Sequence, residues 1–144
     1  MIKPLYMKKI IITLLLILPL LSMTKDKIIP YQKLPNNAKS FISSYFNHSK
    51  PLIITYEFNE YEVVFEDNSS LEFNNKGICT KIKSYNKPIN QNLIPVNISS
   101  FINQNFKNNF ITEIEFSLLI IEIKLDNNLE IKFDKNGNFL SYDN

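Results

Sequence analysis

Four groups of residues in this sequence carry side chains of the kind that do chemistry, and their spacing decides how each is read. His48, the sole histidine, stands in Asn47-His48-Ser49. Zinc sites and Ser–His or Cys–His nucleophiles need histidine with particular companions. None adjoins it, so a solvated residue at a helix end is expected. Glu62 with Glu72, and Glu113 with Glu115, are the nearest carboxylate pairs. Such pairs do acid–base work only where a pocket moves one pKa away from the other. At alternate positions of a strand they form its solvated side instead. Asp134-Lys135-Asn136-Gly137-Asn138 begins like a calcium loop but lacks the full frame and the closing Glu, which leaves a glycine turn. Cys79, the sole cysteine, can form no internal bridge, and nothing beside it would lower its pKa. It reads as core filler in a strand. There is no G-x-S-x-G elbow, and two glycines cannot build a phosphate-cradling loop. The expectation is a non-enzyme with no catalytic residue, no metal ligand and no cofactor.

The elements that must position these residues come from a chain of 144 residues, 44% hydrophobic, with no tryptophan. That is enough apolar content for a packed core. All basic residues are lysine. The planar, bidentate anion capture that arginine performs is therefore absent. Lys3, Lys8 and Lys9 lie at the extreme N-terminus. Setting them aside leaves 13 of the 16 lysines against 14 acidic residues. A body so near neutrality has no electrostatic footprint for nucleic acid and no polybasic attraction to anionic lipid.

Those three lysines precede an apolar run over 10–21, and polar Thr24, Lys25, Asp26 and Lys27 follow. A positive flank, a short apolar run and a polar region form the pattern of a secretory signal peptide. The run is short for a membrane span of about 20 residues. Residues 1–24 are accordingly predicted to be a signal peptide, with an uncleaved anchor as the alternative reading. The protein is expected to be periplasmic or secreted.

Shifted by 60 residues, the chain matches itself without a gap. Leu34-Pro35 falls on Ile94-Pro95, Phe41-Ile42 on Phe101-Ile102, and Phe46 on Phe106. Tyr61-Glu62-Val63 falls on Ile121-Glu122-Ile123, and Leu71 and Phe73 on Ile131 and Phe133. Both glycines coincide, Gly77 with Gly137. After each proline, apolar residues recur at helical spacing: Ala38, Phe41, Ile42, Tyr45 and Phe46, then Ile98, Phe101, Ile102 and Phe106. Asn36, Asn37 and Asn97 are available as helix caps. The period then switches to two, the mark of antiparallel strands with one dry and one wet face. Turn residues separate the strands. The predicted fold class is α+β: two tandem repeats over 30–85 and 93–143, each one helix packed on an antiparallel sheet of about four strands. Units of ~60 residues bury only about 60% of their unfolded surface. The two are therefore expected to pack together or to share a continuous sheet.

The motif Leu34-Pro35-x-x-Ala38-x-x-Phe41-Ile42-x-x-x-Phe46, followed by Tyr61-Glu62-Val63-x-Phe65 and Leu71-x-Phe73-x-x-x-Gly77, resembles a unit of the PepSY-like family. So does the stretch from Ile94-Pro95 through Ile121-Glu122-Ile123-x-Leu125 to Phe133-Asp134-x-x-Gly137. The resemblance covers about 30–143. It implies small exported proteins similar to beta-lactamase inhibitory proteins, which grip an enzyme with the open face of helix-plus-sheet units. It also implies modules that restrain secreted peptidases. The sequence departs from the family pattern at Asn74, where aspartate is expected before the glycine turn, at Ile78 or Cys79, where an aromatic is usual, and at Ile121, where the strand usually begins with tyrosine.

The functional expectation is an exported, non-catalytic binding module, an inhibitor or regulator of a secreted or periplasmic enzyme such as a peptidase. Its partner would be another exported protein, with no role for nucleic acid and none for the membrane beyond export. The candidate protein-binding sheet face carries Glu62, Val64 and Glu72, with Glu122, Lys124 and Lys132. An unpaired strand edge capturing an extended peptide is a further mode. The alternative class is a structural or self-associating cell-envelope protein.

Overall fold

The structure, a computed structural model, describes residues 27–143. The predicted signal peptide lies outside the described residues. The chain opens with a two-residue strand β1 (Lys27–Ile28), a single 3-10 turn and helix α1 (Asn36–Tyr45). Strands β2 (Pro51–Glu57), β3 (Glu60–Phe65), β4 (Ser70–Asn74) and β5 (Cys79–Lys83) follow. A second 3-10 turn leads into helix α2 (Val96–Asn105). Strands β6 (Ile111–Phe116), β7 (Ile120–Leu125), β8 (Glu130–Asp134) and β9 (Phe139–Asp143) complete the described chain.

The expectation of two repeats, each with its own four-stranded sheet, is overturned. Among the described residues there is one sheet of nine strands, in the order β1 to β9, all antiparallel. Strands β5 and β6 close the gap between the halves, with Lys81 opposite Glu115, Ile82 opposite Ile114 and Lys83 opposite Glu113. A separate sheet in each half would have left two edges with unpaired backbone groups, and pairing them satisfies both. The sequence also gave no sign of β1, which is too short to show a period. It covers part of the β2 edge, with Lys27 opposite Tyr56 and Ile28 opposite Thr55.

One face of the sheet is dry. A single row of neighbours crosses it from Ile54 through Val63, Leu71, Ile82, Ile114, Ile123 and Ile131 to Tyr142. All but Tyr142 are buried. Both helices lie on this side. The Phe41 ring meets Phe73 edge-on at 5.8 Å, and Phe101 meets Phe133 the same way at 5.4 Å. The helices add Ala38, Ile42, Ile98 and Ile102 to the core. At the accepted ~25 cal/mol per Å2, this apolar burial is the main stabilising term.

Pro35 and Pro95 stand at the N-cap positions, and neither helix has a side-chain cap. Two of the three asparagines expected to cap them, Asn37 and Asn97, do something else. Asn37 donates through Nδ2 to the Lys76 carbonyl at 3.0 Å, and Asn97 donates to the Asn136 carbonyl at 2.6 Å. Each therefore ties a helix N-terminus to a glycine turn. Gly77 and Gly137 have φ of 75° and 79°, the left-handed region that favours glycine. A Cβ on Gly77 would lie 2.7 Å from the Pro35 Cβ and 2.8 Å from the Ala38 nitrogen. Only glycine lets the turn and the helix approach this closely.

A charged open face on the sheet

Because side chains alternate across a strand, the residues between the buried ones all point to the other face. The register arranges them in two rows. One runs Thr55, Glu62, Glu72, Lys81, Glu115, Glu122, Lys132, Ser141. The second runs Ile53, Val64, Ser70, Lys83, Glu113, Lys124, Glu130, Asp143. The six residues singled out from the sequence all stand in these rows. Glu62, Glu72, Glu122 and Lys132 share the first, and Val64 and Lys124 share the second.

Sequence reasoning placed Glu113 and Glu115 on the solvated side of a strand but left them, with Lys81 and Lys83, out of the candidate face, and so missed its middle. Lys81, Lys83, Glu113 and Glu115 come from β5 and β6, and they become neighbours only because those strands pair. Their signal was present as alternation, Lys81-Ile82-Lys83 and Glu113-Ile114-Glu115, but nothing local joined the two segments. Lys81 reaches Glu113 at 3.0 Å and Glu115 at 2.6 Å, with its side chain only 20% exposed. Burial pulls its ammonium down, but the hydrogen bonds to Glu115 and Glu113 outweigh that and hold it above the ordinary lysine range. Beside this seam lies an open cleft of about 350 Å3, lined in part by Ser70, Lys83, Tyr85, Thr112, Glu113 and Lys124.

The two ends of the face differ in charge. Towards β9, Lys124 bonds Glu130 at 2.9 Å, and Lys132 lies 3.6 Å from Glu122 and contacts Asp143. Both ammonium groups are held above their usual range, chiefly by the hydrogen bonds to Glu130 and Asp143 respectively. In the first half the place of Lys132 is taken by Glu72, which stands directly opposite Glu62. Burial raises the Glu72 carboxyl, Lys81 and Lys83 pull it back, and Glu62 and Glu60 push it further up. Glu60, Glu62 and Glu72 line a smaller hollow of about 170 Å3 with Thr55 and Tyr61. The β2–β4 end is thus acidic, while the β7–β9 end is internally neutralised.

The other chemistry-bearing residues resolve as structural. Asp134 accepts hydrogen bonds at 2.8 Å from the backbone N–H groups of Asn136 and Asn138 and from the Asn138 side chain. Its carboxylate is engaged in closing the glycine turn and is held below its usual range, above all by the Asn138 side chain. Asn74 does the same work in the first half, accepting from Lys76 at 3.0 Å and Ile78 at 3.1 Å. An amide oxygen therefore suffices where aspartate was expected. Burial pushes the Cys79 thiol up to about 12, so it stays protonated and unreactive. His48 stacks near Phe46, ring centroids 6.0 Å apart. Among the described residues, no group of three or more His, Cys, Asp or Glu is placed to hold a metal ion. No described helix is long and apolar enough to cross a membrane.

These features define a class: a small helix-on-sheet module with one dry face and one open charged face. Comparison with known proteins gives the family. The model described as "Putative beta-lactamase-inhibitor-like, PepSY-like" matches residues 21–63 and 59–141. The chain belongs to this PepSY-like family. It is similar to a solved Bacteroides thetaiotaomicron protein described as a "putative calcium-regulated periplasmic protein", with 29% identity, TM-score 0.80, and coverage of 83% of this chain and 97% of that one. A Bacteroides vulgatus protein described as a "putative periplasmic protein from DUF2874 family" has 30% identity and TM-score 0.79, covering 85% of this chain and all 100% of that one. A second Bacteroides vulgatus protein, described as periplasmic and of unknown function, has 31% identity and TM-score 0.80 over 83% of this chain and 100% of that one. No curated protein matches the chain.

Proposed function

We propose that the chain is an exported, non-catalytic binding module that holds another exported protein against the open face of its sheet and so restrains or regulates it. The observation that carries this reading is the continuity of that face. Both helices cover one side of the sheet, and the other side presents two unbroken rows of side chains across eight strands. A broad face rich in fixed charge selects partners by complementarity and steers their approach. The acidic end at Glu60, Glu62 and Glu72 fits a basic patch on the partner. Relatives described as periplasmic support export, and the inhibitor-like family description supports an enzyme as the restrained partner.

The test is affinity capture from periplasmic extract with the wild type, with Glu72→Lys and with Lys132→Glu, followed by activity assays on any enzyme retained. A partner retained by the wild type and lost by the Glu72→Lys chain supports the reading. A partner held equally by all three removes the open face from consideration.

The alternative, self-association in the cell envelope, draws on the exposed edge strand β9. Sedimentation at rising concentration checks it, and a strict monomer would count against it.

A further inference from the structure

The two ends of the sheet are finished differently. Strand β9 corresponds to β5 under the 60-residue shift, so that Cys79, Ile82 and Lys83 correspond to Phe139, Tyr142 and Asp143. Strand β5 has a neighbour on each side. Its Ile82 faces Ile114 of β6, and both are 0% exposed. Ile89 and Ile111, which hydrogen-bond to each other through the backbone at 3.0 Å, are buried in the same core. Among the described residues, strand β9 has a neighbour only on the β8 side, and every one of its residues is exposed.

The consequence is an uncovered aromatic ledge on the helix side of this edge. Phe139 is 40% exposed and Tyr142 48%. Their rings lie 4.6 Å apart. Phe101 stacks on Phe139 at 5.3 Å, and Phe106 meets Tyr142 edge-on at 6.2 Å. Phe46, the counterpart of Phe106, is 8% exposed. The chain therefore contains both versions of one edge: covered by an incoming strand at β5, and bare at β9.

We propose that the β9 edge takes up an extended segment of another protein as a tenth strand, in the way β5 takes up β6. The β5–β6 register specifies the occupant. An aliphatic residue would sit opposite Tyr142, as Ile114 sits opposite Ile82. A cation would sit opposite Asp143, on the side of that carboxylate away from Lys132, reversing the Lys83–Glu113 arrangement. A further aliphatic residue three places before the first would follow Ile111 and cover Phe106. Backbone pairing supplies affinity in this mode, and alternate side chains supply specificity.

A second copy of the chain fits this edge poorly. Head-to-tail growth onto the β2 edge meets β1, whose residues pair with Thr55 and Tyr56, and the Ile29 N–H that bonds the Ile54 carbonyl at 2.9 Å. A two-fold pairing of β9 edges about Ser141 would pair each Asp143, on the open face, with the partner copy's Phe139, on the helix side, so that neither side chain meets a match.

This inference goes beyond the open-face reading and uses different residues. The probe is a fluorescent, end-blocked hexapeptide with the β6 sequence Ile111–Phe116, carrying lysine in place of Glu113 and threonine in place of Glu115. A companion peptide keeps glutamate at the first of these places. Anisotropy titration of the full chain should give saturable binding at least ten-fold tighter for the lysine peptide. Asp143→Lys should reverse that preference. Tyr142→Glu should weaken binding at least ten-fold, and Leu118→Lys, at a distant exposed hairpin, should leave it unchanged. Equal affinity for both peptides, binding undiminished by Tyr142→Glu, or no saturable binding would each overturn the proposal. So would a sedimenting dimer abolished by Tyr142→Glu, since a second copy would then own the edge. Loss of the captured partner in Glu72→Lys alongside failure of the peptide titration would sink this inference and leave the open-face reading standing.

Discussion

Ile82 of β5 and Ile114 of β6 face each other across the middle of the sheet, and neither has any exposed surface. This pair joins the halves into one structure. Removing the first half would strip the β6 edge of its backbone partner and expose Ile114 to water. The fragment 86–144 is therefore expected to melt far below the intact chain and without a sharp transition. Ile114→Ala in the intact chain should cost about 2–5 kcal/mol. Urea titration followed by circular dichroism checks both. A fragment as stable as the whole would refute the dependence.

Positive φ marks a second set of testable positions. Gly77→Ala places a Cβ against Pro35 and Ala38 at a φ of 75°. The left-handed conformation alone costs about 1–2 kcal/mol, and the close contact adds to it. Phe58 is the opposite case. It holds φ at 47° in the two-residue β2–β3 hairpin, with 77% of its surface exposed. Asparagine tolerates that conformation far better than phenylalanine. Phe58→Asn is expected to raise the melting temperature and Gly77→Ala to lower it. Thermal melts of the two variants decide the matter, and the same sign for both would contradict this account.

The acidic end of the open face should show an inverted pH dependence. Burial raises the folded-state Glu72 carboxyl above its ordinary value of 4.5. The folded chain therefore binds this proton more tightly than the unfolded one, and ionisation of Glu72 opposes folding. The penalty is fully present above the folded value and vanishes below the ordinary one. Asp67 runs the other way. Its hydrogen bond from the Ser69 hydroxyl, at 2.6 Å, holds it below its ordinary value of 3.8. Its contribution is present above the ordinary value and is lost as pH falls through the folded one. Glu72→Gln should therefore stabilise the chain at pH near 7 and do nothing in strong acid, whereas Asp67→Asn should destabilise it at neutrality. Denaturation midpoints across a pH series check the signs.

Lys81 holds two carboxylates at once across the seam. Isolated surface pairs contribute about 0–1 kcal/mol, but removing this lysine leaves Glu115 opposite Glu122 without its cation and also breaks the ion pair with Glu113. Lys81→Met is expected to cost about 1 kcal/mol at neutral pH and less once the carboxylates are protonated. Lys87→Met removes only the 3.5 Å contact between the exposed Lys87 and Asp67, and it should cost less. Equal losses from the two variants would show that the seam lysine is an ordinary surface charge.

The local architecture was legible in the residues themselves. Period-two alternation at 61–65, 71–73, 121–125 and 131–133 marked strands, because one face of each had to be dry. Helical spacing at Ala38, Phe41 and Ile42 and at Ile98, Phe101 and Ile102 marked the helices. Gly77 and Gly137 marked turns that require positive φ. The six residues Glu62, Val64, Glu72, Glu122, Lys124 and Lys132 could be assigned to the wet side by the same alternation, since side-chain direction is set one residue at a time.

Tertiary structure alone decided how these pieces join. Alternation says which way a side chain points, but it does not say which strand lies beside which. The pairing of β5 with β6, separated in sequence by a whole helix, decided between packed repeats and a continuous sheet in favour of the sheet. It brought Lys81 between Glu113 and Glu115, and it buried the β5 edge while leaving β9 bare. The short β1 and the tie from Asn37 to the Lys76 carbonyl have no periodic signature either. Each exists because a distant backbone group needed a partner, and that demand appears only once the chain is folded.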